Sequence, residues 1–308
     1  MNNTKLYPLS FKPILKERVW GSETWVLSGL DSDTSIINNG FLKGNTLNEA
    51  LEVYLTDLVG DRIYNMCGDE FPLLIKYLTV NDFLSVQVHP DDAYAEIHEH
   101  KLGKSEAWVI LHAEKNASIL YGIGPGVTIE AMRRALNAGE DIEPMIRRVP
   151  VKAGDVFYMP AGMVHAIGGG ITLYEIQQSS DVTYRLWDIN RTNAAGEKRP
   201  LPLKQALDVI RPELQGQTTR LPETDEGKIK RLLDVPAFTL DGAAVNGECE
   251  LVPAPAFRIL TALAGLLLSW EGDALELEAG DTVLLPASCP PVTLTGVGQA
   301  LIAAPVRG

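Results

Sequence analysis

One histidine in this sequence stands at the end of a segment whose pattern would hold it in a fixed place. Residues 153–155 form a predicted tight turn, residues 156–159 a short apolar strand and residues 160–162 a second turn. Glycine, proline and aspartate favour such turns, and the second turn delivers His165 at the start of the next strand. The imidazole of His165 is therefore the first candidate donor of a functional site.

A second segment places further polar donors on one face of a strand. Residues 83–90 alternate between polar and apolar side chains, which is typical of a half-buried strand. Because successive side chains on a strand point to opposite sides, Ser85, Gln87 and His89 share one face.

A third segment adds a carboxylate and a lysine. Residues 104–111 form another predicted strand, in which Lys104 and Glu106 share a face. If the three segments meet in one cavity, two imidazoles, one carboxylate and one amide oxygen converge there. The candidate metal ligands are thus Gln87, His89, Glu106 and His165. Such donors with an open coordination position fit a catalytic Zn²⁺ site, and imidazole and carboxylate also suit Fe²⁺ or Mn²⁺.

The residues around His165 resemble a known motif. Gly154, Pro160, Gly162 and His165 are separated by five, one and two residues. This spacing is similar to the second motif of the cupin superfamily, in which a small β-barrel holds a metal ion. The chain also resembles class I mannose-6-phosphate isomerase (phosphomannose isomerase) in its short bacterial form. The segments that carry this resemblance are 11–21 (FKPILKERVWG), 71–76 (FPLLIK), 84–92 (LSVQVHPDD), 104–106 (KSE), the His165 motif and 180–188 (SDVTYRLWD).

The resemblance implies a metal and a reaction. The family's zinc ligands fall on Gln87, His89, Glu106 and His165, the same set that the strand pattern predicts. A member of the family with one Zn²⁺ per chain would interconvert mannose 6-phosphate and fructose 6-phosphate through an enediol or enediolate. Such an isomerase needs a base, a group that stabilises the enediolate, and exclusion of water.

The resemblance also implies which polar residues act on the substrate. The family's candidate positions are Ser85, Lys104, Glu175, Asp181 and Arg185. Glu175 is the predicted base, because a nearby metal ion favours a carboxylate or a neutral lysine over a cationic base. Arg185 is predicted to act at the reacting carbons or at the phosphate, with Lys104 sharing the anionic end and Ser85 as a further substrate contact. Asp181 would orient Arg185 through a salt bridge.

The predicted fold is mainly β. A cupin-type β-barrel (jelly roll) with a small helical insertion at about 125–148 forms a metal-binding catalytic domain over residues 1–225. Residues 226–308 form a second, degenerate cupin-like β domain without metal ligands. Its segment 278–287 repeats 152–161 in spacing and character, although the positions that match the later glycine and histidine of the motif are Ser288 and Pro291.

Helices are predicted at five places, the last of them over residues 203–210. Thr46 and Glu49 form a capping box at the start of one helix. A second helix begins after Asp91 and ends near His100, a third covers 128–137, and Asp141 would cap a short fourth helix that runs through Arg147.

The composition limits the other functions of this chain. A formal net charge of −13 argues against nucleic acid or an anionic membrane as a partner, so a sugar phosphate would be bound by a few local cations. No segment approaches the roughly 20 apolar residues that span a bilayer. Three scattered cysteines indicate no disulfide framework. The sequence therefore predicts a cytoplasmic protein, either a monomer or a homodimer, with a small-molecule substrate.

Two other functions remain open from the sequence. A non-catalytic sugar-binding or regulatory cupin would keep the barrel and lack turnover, but the full ligand set and Arg185 speak against it. An Fe²⁺ dioxygenase-type cupin would need O₂ and an organic co-substrate, and a glutamine ligand paired with Lys104 gives no reason to expect one.

Overall fold

The structure is a computed structural model that describes residues 5–188, 191, 198, 200–224 and 227–306. Within these residues the helices are α1 (Leu47–Val59), α2 (Asp61–Cys67), α3 (Asp92–Glu99), α4 (Ile129–Ala138) and α5 (Leu203–Val209). No helix in the described part of the chain is both long and apolar enough to cross a membrane.

Strands dominate the fold. Those up to residue 187 are β1 (Leu9–Ser10), β2 (Ile14–Arg18), β3 (Gly21–Leu27), β4 (Leu73–Val80), β5 (Val86–Val88), β6 (Glu106–Ala113), β7 (Ser118–Ile123), β8 (Ile146–Pro150), β9 (Asp155–Met159), β10 (His165–Ile167), β11 (Ile171–Gln178) and β12 (Tyr184–Trp187). The later strands are β13 (Gln217–Arg220), β14 (Ile229–Asp234), β15 (Phe238–Leu251), β16 (Arg258–Ala262), β17 (Leu266–Trp270), β18 (Asp273–Leu277), β19 (Thr282–Leu285) and β20 (Val292–Pro305).

Two sheets form the first barrel. One has the strand order β13–β9–β6–β11–β4–β3–β2 and the other β12–β5–β10–β7–β8. Apolar side chains from both sheets, including Trp108, Tyr121 and Phe157, pack into one core. On its other face the five-stranded sheet is covered by α4 and α5. Val86 and Val88 point toward these helices, so Gln87 between them faces the barrel interior.

The second barrel is built on an eight-stranded sheet. Its strand order is β1–β19–β16–β20–β15–β14, and β17 joins β20 to β18. Fully buried side chains such as Leu260, Leu268 and Leu294 fill its core. The mainly β, cupin-type architecture predicted from the sequence is confirmed.

The turn before β19 repeats the turn before β9. The N–H of Lys152 donates to the carboxylate of Asp155 at 2.9 Å, and the N–H of Glu278 donates to the carboxylate of Asp281 at 2.8 Å. Each turn leads into an equivalent strand pair, β9 with β6 and β19 with β16. The repeat seen in the sequence therefore extends to the hydrogen bonds of the turn and to the pairing of the strand.

The chain forms two compact units, and each unit combines segments that are separated in the sequence. One holds the described residues of Met1–Ile14, Trp25–Ile75 and Arg220–Gly308, and the other those of Leu15–Thr24 and Lys76–Thr219. In the first unit β1 pairs with β19, and the ring of Phe71 lies 4.6 Å from that of Phe257. The N-terminal segment and α1 thus group with the second barrel, whereas a division at residue 225 into a catalytic and a C-terminal domain stays a prediction.

Three of the helices predicted from capping signals begin where expected. Oγ1 of Thr46 accepts a hydrogen bond from the N–H of Glu49, and the Glu49 carboxylate accepts one from the N–H of Thr46. Asp91 caps α3 and Thr128 caps α4 through single side-chain bonds.

The helical insertion is shorter than predicted. The prediction of a fourth helix that runs through Arg147 is wrong, because only a single 3₁₀ turn forms there, at Glu143–Met145. β8 begins at Ile146, because this residue pairs with Ile123 of β7 and buries its side chain in the core.

Two strands begin later than the sequence indicates. β5 covers Val86–Val88 instead of 83–90. β6 begins at Glu106, because the N–H of Lys104 donates to the carbonyl oxygen of Pro90 instead of pairing with a neighbouring strand.

Candidate active site and metal centre

The segment that ends in His165 folds as two turns around one strand. Gly154 lies at φ 87° in the first turn, and its N–H donates to the carbonyl oxygen of Ile110. In the second turn the N–H of Met163 donates to the carbonyl oxygen of Pro160 at 3.1 Å. His165 then begins β10 with its side chain buried. Local turn chemistry thus fixes where this imidazole enters the barrel.

The second turn also connects the two buried histidines. The N–H of Gly162 donates to the carbonyl oxygen of His89 at 2.8 Å. Gly162 has φ 90°, and a Cβ at this position would lie 2.8 Å from Cγ of Arg211 and 3.0 Å from the carbonyl oxygen of Val209. Only glycine fits here, because both the backbone angle and the space exclude a side chain.

Three buried side chains converge on one point. His89, Glu106 and His165 are 2%, 1% and 1% exposed. Nε2 of His89 lies 3.4 Å from Oε2 of Glu106, and Nε2 of His165 lies 3.2 Å from its Oε1. The donor atoms of the three residues all lie within 4.8 Å of one another.

Both imidazoles are oriented by backbone carbonyl groups. Nδ1 of His89 lies 2.8 Å from the carbonyl oxygen of Val182, and Nδ1 of His165 lies 2.9 Å from that of Met163. In each ring Nδ1–H is therefore the donor, which leaves the lone pair of Nε2 facing Glu106. Burial, followed by the ammonium of Lys104, lowers the pKa of His89 to about 3, so this ring is neutral at neutral pH.

This donor set fits a divalent cation. The Nε2 atoms of two imidazole rings and the oxygens of one carboxylate face one another. Nitrogen and oxygen donors of this kind bind Zn²⁺, Fe²⁺ or Mn²⁺.

Gln87 lies beside the three residues. It is paired with His165 of β10 on one side and with Arg185 of β12 on the other. Its amide nitrogen is 3.3 Å from Nε2 of His165. A half-turn of the amide group would bring its oxygen to the same place, as a metal ligand requires.

Lys104 joins this set to a second carboxylate. Its ammonium contacts Glu106, lies 3.2 Å from Nε2 of His89 and lies 3.5 Å from Glu175. Burial alone would lower the pKa of Lys104, but Glu106 and Glu175 outweigh it and raise that pKa. Lys104 is therefore a buried ammonium that two carboxylates share.

The two carboxylates have opposite pKa shifts. Burial would raise the pKa of Glu106, but Lys104 and the two histidines outweigh it and hold that pKa well below its usual range. Burial, which has the larger effect, and the charge of Glu106 together raise the pKa of Glu175 to about 7. One acid is thus firmly ionised, while the other gains or loses its proton near neutral pH.

The other predicted substrate residues lie nearby or at the surface. Ser85 is buried just before β5. Arg185, on β12 opposite Gln87, is partly exposed and shares the face of Gln87, since directly paired residues on antiparallel strands point the same way. Asp181, expected to orient Arg185, forms an exposed ion pair with Lys101 at 2.6 Å.

The sequence patterns gave no role to Lys76. It lies on β4 with its side chain buried, and its Nζ donates to Oε1 of Gln177 at 2.8 Å. Burial lowers the pKa of Lys76, although Glu175 opposes this. A single lysine within the apolar run 73–78 is the signal that could have revealed it, because lysine is rarely buried without a partner.

Comparison with known proteins identifies similar chains. The family model described as phosphomannose isomerase type I, catalytic domain, matches residues 4–116. The mannose-6-phosphate isomerase ManA of Bacillus subtilis is 36% identical over 315 residues, which covers 96% of this chain and 98% of that protein. The mannose-6-phosphate isomerase of Streptococcus mutans is 35% identical over 298 residues, covering 91% and 92%.

Solved structures show the same relationship. The crystal structure of the mannose 6-phosphate isomerase from Bacillus subtilis matches with a TM-score of 0.86 and 31% identity, over 97% of this chain and 99% of that one. A putative mannosephosphate isomerase from Archaeoglobus fulgidus shares the fold, with a TM-score of 0.78 at 20% identity over 99% and 100% of the two chains.

Proposed function

Since the chain belongs to the mannose-6-phosphate isomerase family, whose members are isomerases, we propose that it interconverts mannose 6-phosphate and fructose 6-phosphate through an enediolate, with one Zn²⁺ per chain. The observation that carries this proposal is the buried convergence of His89, Glu106 and His165 beside a carboxyl group, Glu175, that titrates near neutral pH. We further propose that the protein works in the cytoplasm, as a monomer or a homodimer.

Four residues would hold the metal ion: Gln87, His89, Glu106 and His165. Bound zinc would supply a Lewis acid that polarises the sugar oxygens. The orientation of both imidazoles by backbone carbonyl groups keeps their Nε2 lone pairs directed to the site without rearrangement.

Glu175 is the proposed base. Its pKa of about 7 suits a group that must both take and return a proton near neutral pH. It takes the proton from C2 of mannose 6-phosphate and returns it to C1, while the hydroxyl proton of O2 passes to O1. The aldehyde at C1 thereby becomes a hydroxymethyl group and C2 becomes the ketone. Lys104, which is within reach of Glu175, stabilises the negative charge of the enediolate.

The anionic end of the substrate needs its own cation, because the chain as a whole carries a net charge of −13. Arg185 is the proposed phosphate ligand, since a guanidinium group binds phosphate with two parallel hydrogen bonds. Ser85, buried on the segment that leads into Gln87, is a proposed hydrogen-bonding contact to the sugar.

A coupled isomerase assay with mannose 6-phosphate, together with the metal content of the purified protein, tests this function. We expect wild type to contain one zinc ion per chain and to turn over. Arg185→Ala should keep its metal and lose roughly 10- to 100-fold in kcat/KM, the value of one or two charge-assisted hydrogen bonds. Arg148→Ala is the matched control, because Arg148 is a half-exposed arginine of β8 that pairs with Glu143.

Each contrary outcome has a defined meaning. If wild type carries its metal and binds the sugar phosphate without turnover, the protein is a sugar-binding cupin and the proposed isomerase function is wrong. If the Arg185→Ala variant keeps its metal and full activity, the proposed role of Arg185 in substrate binding is wrong.

A further inference from the structure

A buried amide holds the amine of Lys76 near the charged groups of this site. Gln177 is fully buried, and its Oε1 accepts the hydrogen bond from Nζ of Lys76 at 2.8 Å. Its Nε2 donates to the carbonyl oxygens of Gln178 at 2.8 Å and of Ser180 at 2.6 Å. Because backbone carbonyl groups accept the hydrogen bonds from the amide nitrogen, the amide has one orientation and its oxygen faces the lysine.

The surroundings of Lys76 are strongly charged. Glu175 precedes Gln177 by two residues on β11, so both side chains lie on the same face of the strand. The charged groups that act on Lys76 are Glu175, Lys104, Glu23 and Glu106. The carboxylates attract the amine, whereas the amide of Gln177 offers it a neutral acceptor in a fixed place.

We propose that Gln177 is a positioning residue of the isomerase site, which acts on the reaction only through Lys76 by fixing the position of its amine relative to Glu175. The inference rests on the proposed isomerase function. Gln177 itself does not touch the substrate. Its anchoring to the backbone at 178 and 180 prevents it from following the lysine, so the position of the amine is set by the fold.

Loss of the amide oxygen has a definite consequence. Lys76 would then shift toward Glu175, the carboxylate that attracts it most strongly. A closer contact between the two would draw the proposed base away from the substrate. Burial lowers the pKa of Lys76, and a carboxylate partner would reverse that effect by stabilising the charged amine.

A double-mutant cycle tests the proposal. Gln177→Met replaces the amide by an apolar group of similar volume, and Lys76→Met removes the amine. We expect Gln177→Met to lose roughly 10- to 100-fold in kcat, mainly without a rise in KM, as supporting residues of active sites do. In the Lys76→Met background the same change should cost nothing more, because its only route of action is gone. Thr172→Val, a partly buried polar residue on the same strand, is the matched control.

Additive losses in the cycle would overturn the proposal, since a mere packing role lowers activity whether or not the lysine is present. Activity of Gln177→Met within twofold of wild type would do the same. If Gln177→Met does not fold, Gln177→Asn, which keeps the polar group but shortens its reach, enters the same cycle.

Crystal structures of wild type and Gln177→Met separate this inference from the proposed function. We expect Nζ of Lys76 to move toward Glu175 in the variant, and an unmoved amine would overturn the inference. A wild type without isomerase turnover would instead overturn the function, while the position of Lys76 would still be read from the two structures.

Discussion

Several ionisable side chains of this protein are buried, although burial normally disfavours a charged group. Lys104, Glu106 and Glu175 are all buried, and each has a shifted pKa. Such clusters are characteristic of functional sites, where groups with different proton affinities must act side by side. The histidines show the same contrast, because His89 and His165 are buried while the other three, His98, His100 and His112, are exposed.

The stability of the metal-free protein should depend on pH through Glu175. Its pKa is raised to about 7 by burial first and by Glu106 second, from an ordinary 4.5. A carboxyl group with a higher pKa in the folded protein contributes stability that is complete below the unfolded value and is lost as the pH rises through the folded value. We therefore expect wild type to lose stability relative to Glu175→Gln as the pH rises from about 4.5 to about 7, with no further loss above that range.

Urea unfolding of both proteins with a chelator present, at several pH values, measures this difference. The exposed Glu114→Gln is the matched control for replacing a carboxyl group by an amide. A difference between Glu175→Gln and wild type that does not change with pH would contradict the assignment of a raised pKa.

At the scale of elements, short strands and tight turns determine where the donors lie. β5 has only three residues, yet it pairs with β10 on one side and β12 on the other. These two pairings bring Gln87 next to His165 and Arg185. α4 and α5 bury the opposite face of this sheet, which prevents β5 from rotating its polar side outward.

Replacement of Gly162 by alanine should destabilise the protein more than the same replacement of a glycine in an open turn. Gly162→Ala places a Cβ at φ 90° and 2.8 Å from Cγ of Arg211, so the turn and its bond to His89 must shift. Gly126→Ala is the matched control, since Gly126 has φ 77° and nothing within 4 Å. We expect both variants to lose about 1–2 kcal/mol from the backbone angle, and Gly162→Ala to lose more and to bind metal weakly.

Thermal unfolding and the metal content after dialysis distinguish the two glycine variants. Equal metal retention by both would mean that the bond between Gly162 and His89 does not hold the site together.

At the scale of the whole molecule, two compact units each have a core of their own. The proposed site residues, from Lys76 to Arg185, all belong to the unit that includes Lys76–Thr219. The other unit repeats the turn and strand pairing of the first but has Pro291 where His165 would be, and no histidine occurs after residue 227. Its repeat therefore preserves the packing pattern without the donors.

A cavity in the second barrel should lower stability without affecting the metal. Leu294→Ala removes a fully buried side chain from that core, and we expect it to cost about 2–5 kcal/mol of unfolding free energy. Val297→Ala on the same strand is the control, because Val297 is 70% exposed. Denaturant unfolding and zinc content measured on both variants test this, and loss of zinc from Leu294→Ala at a temperature where it is folded would contradict it.

The sequence by itself determined the local parts of this protein. Alternation in the segment of Gln87 and His89, the glycine and proline turns before His165, and the caps at Thr46, Asp91 and Thr128 depend on residues close in the chain. Local sterics and hydrogen bonds suffice to predict them. The candidate ligands and the mainly β fold followed from these patterns together with the family resemblance.

Only the tertiary structure decided what lies far apart in the chain. The 2.8 Å contact between Lys76 and Gln177, the grouping of residues 25–75 with the second barrel, and the start of β8 at Ile146 all depend on partners that no local pattern reveals. The opposite pKa shifts of Glu106 and Glu175 belong here too. They arise from burial and from charges on other strands, which exist only once the chain has folded.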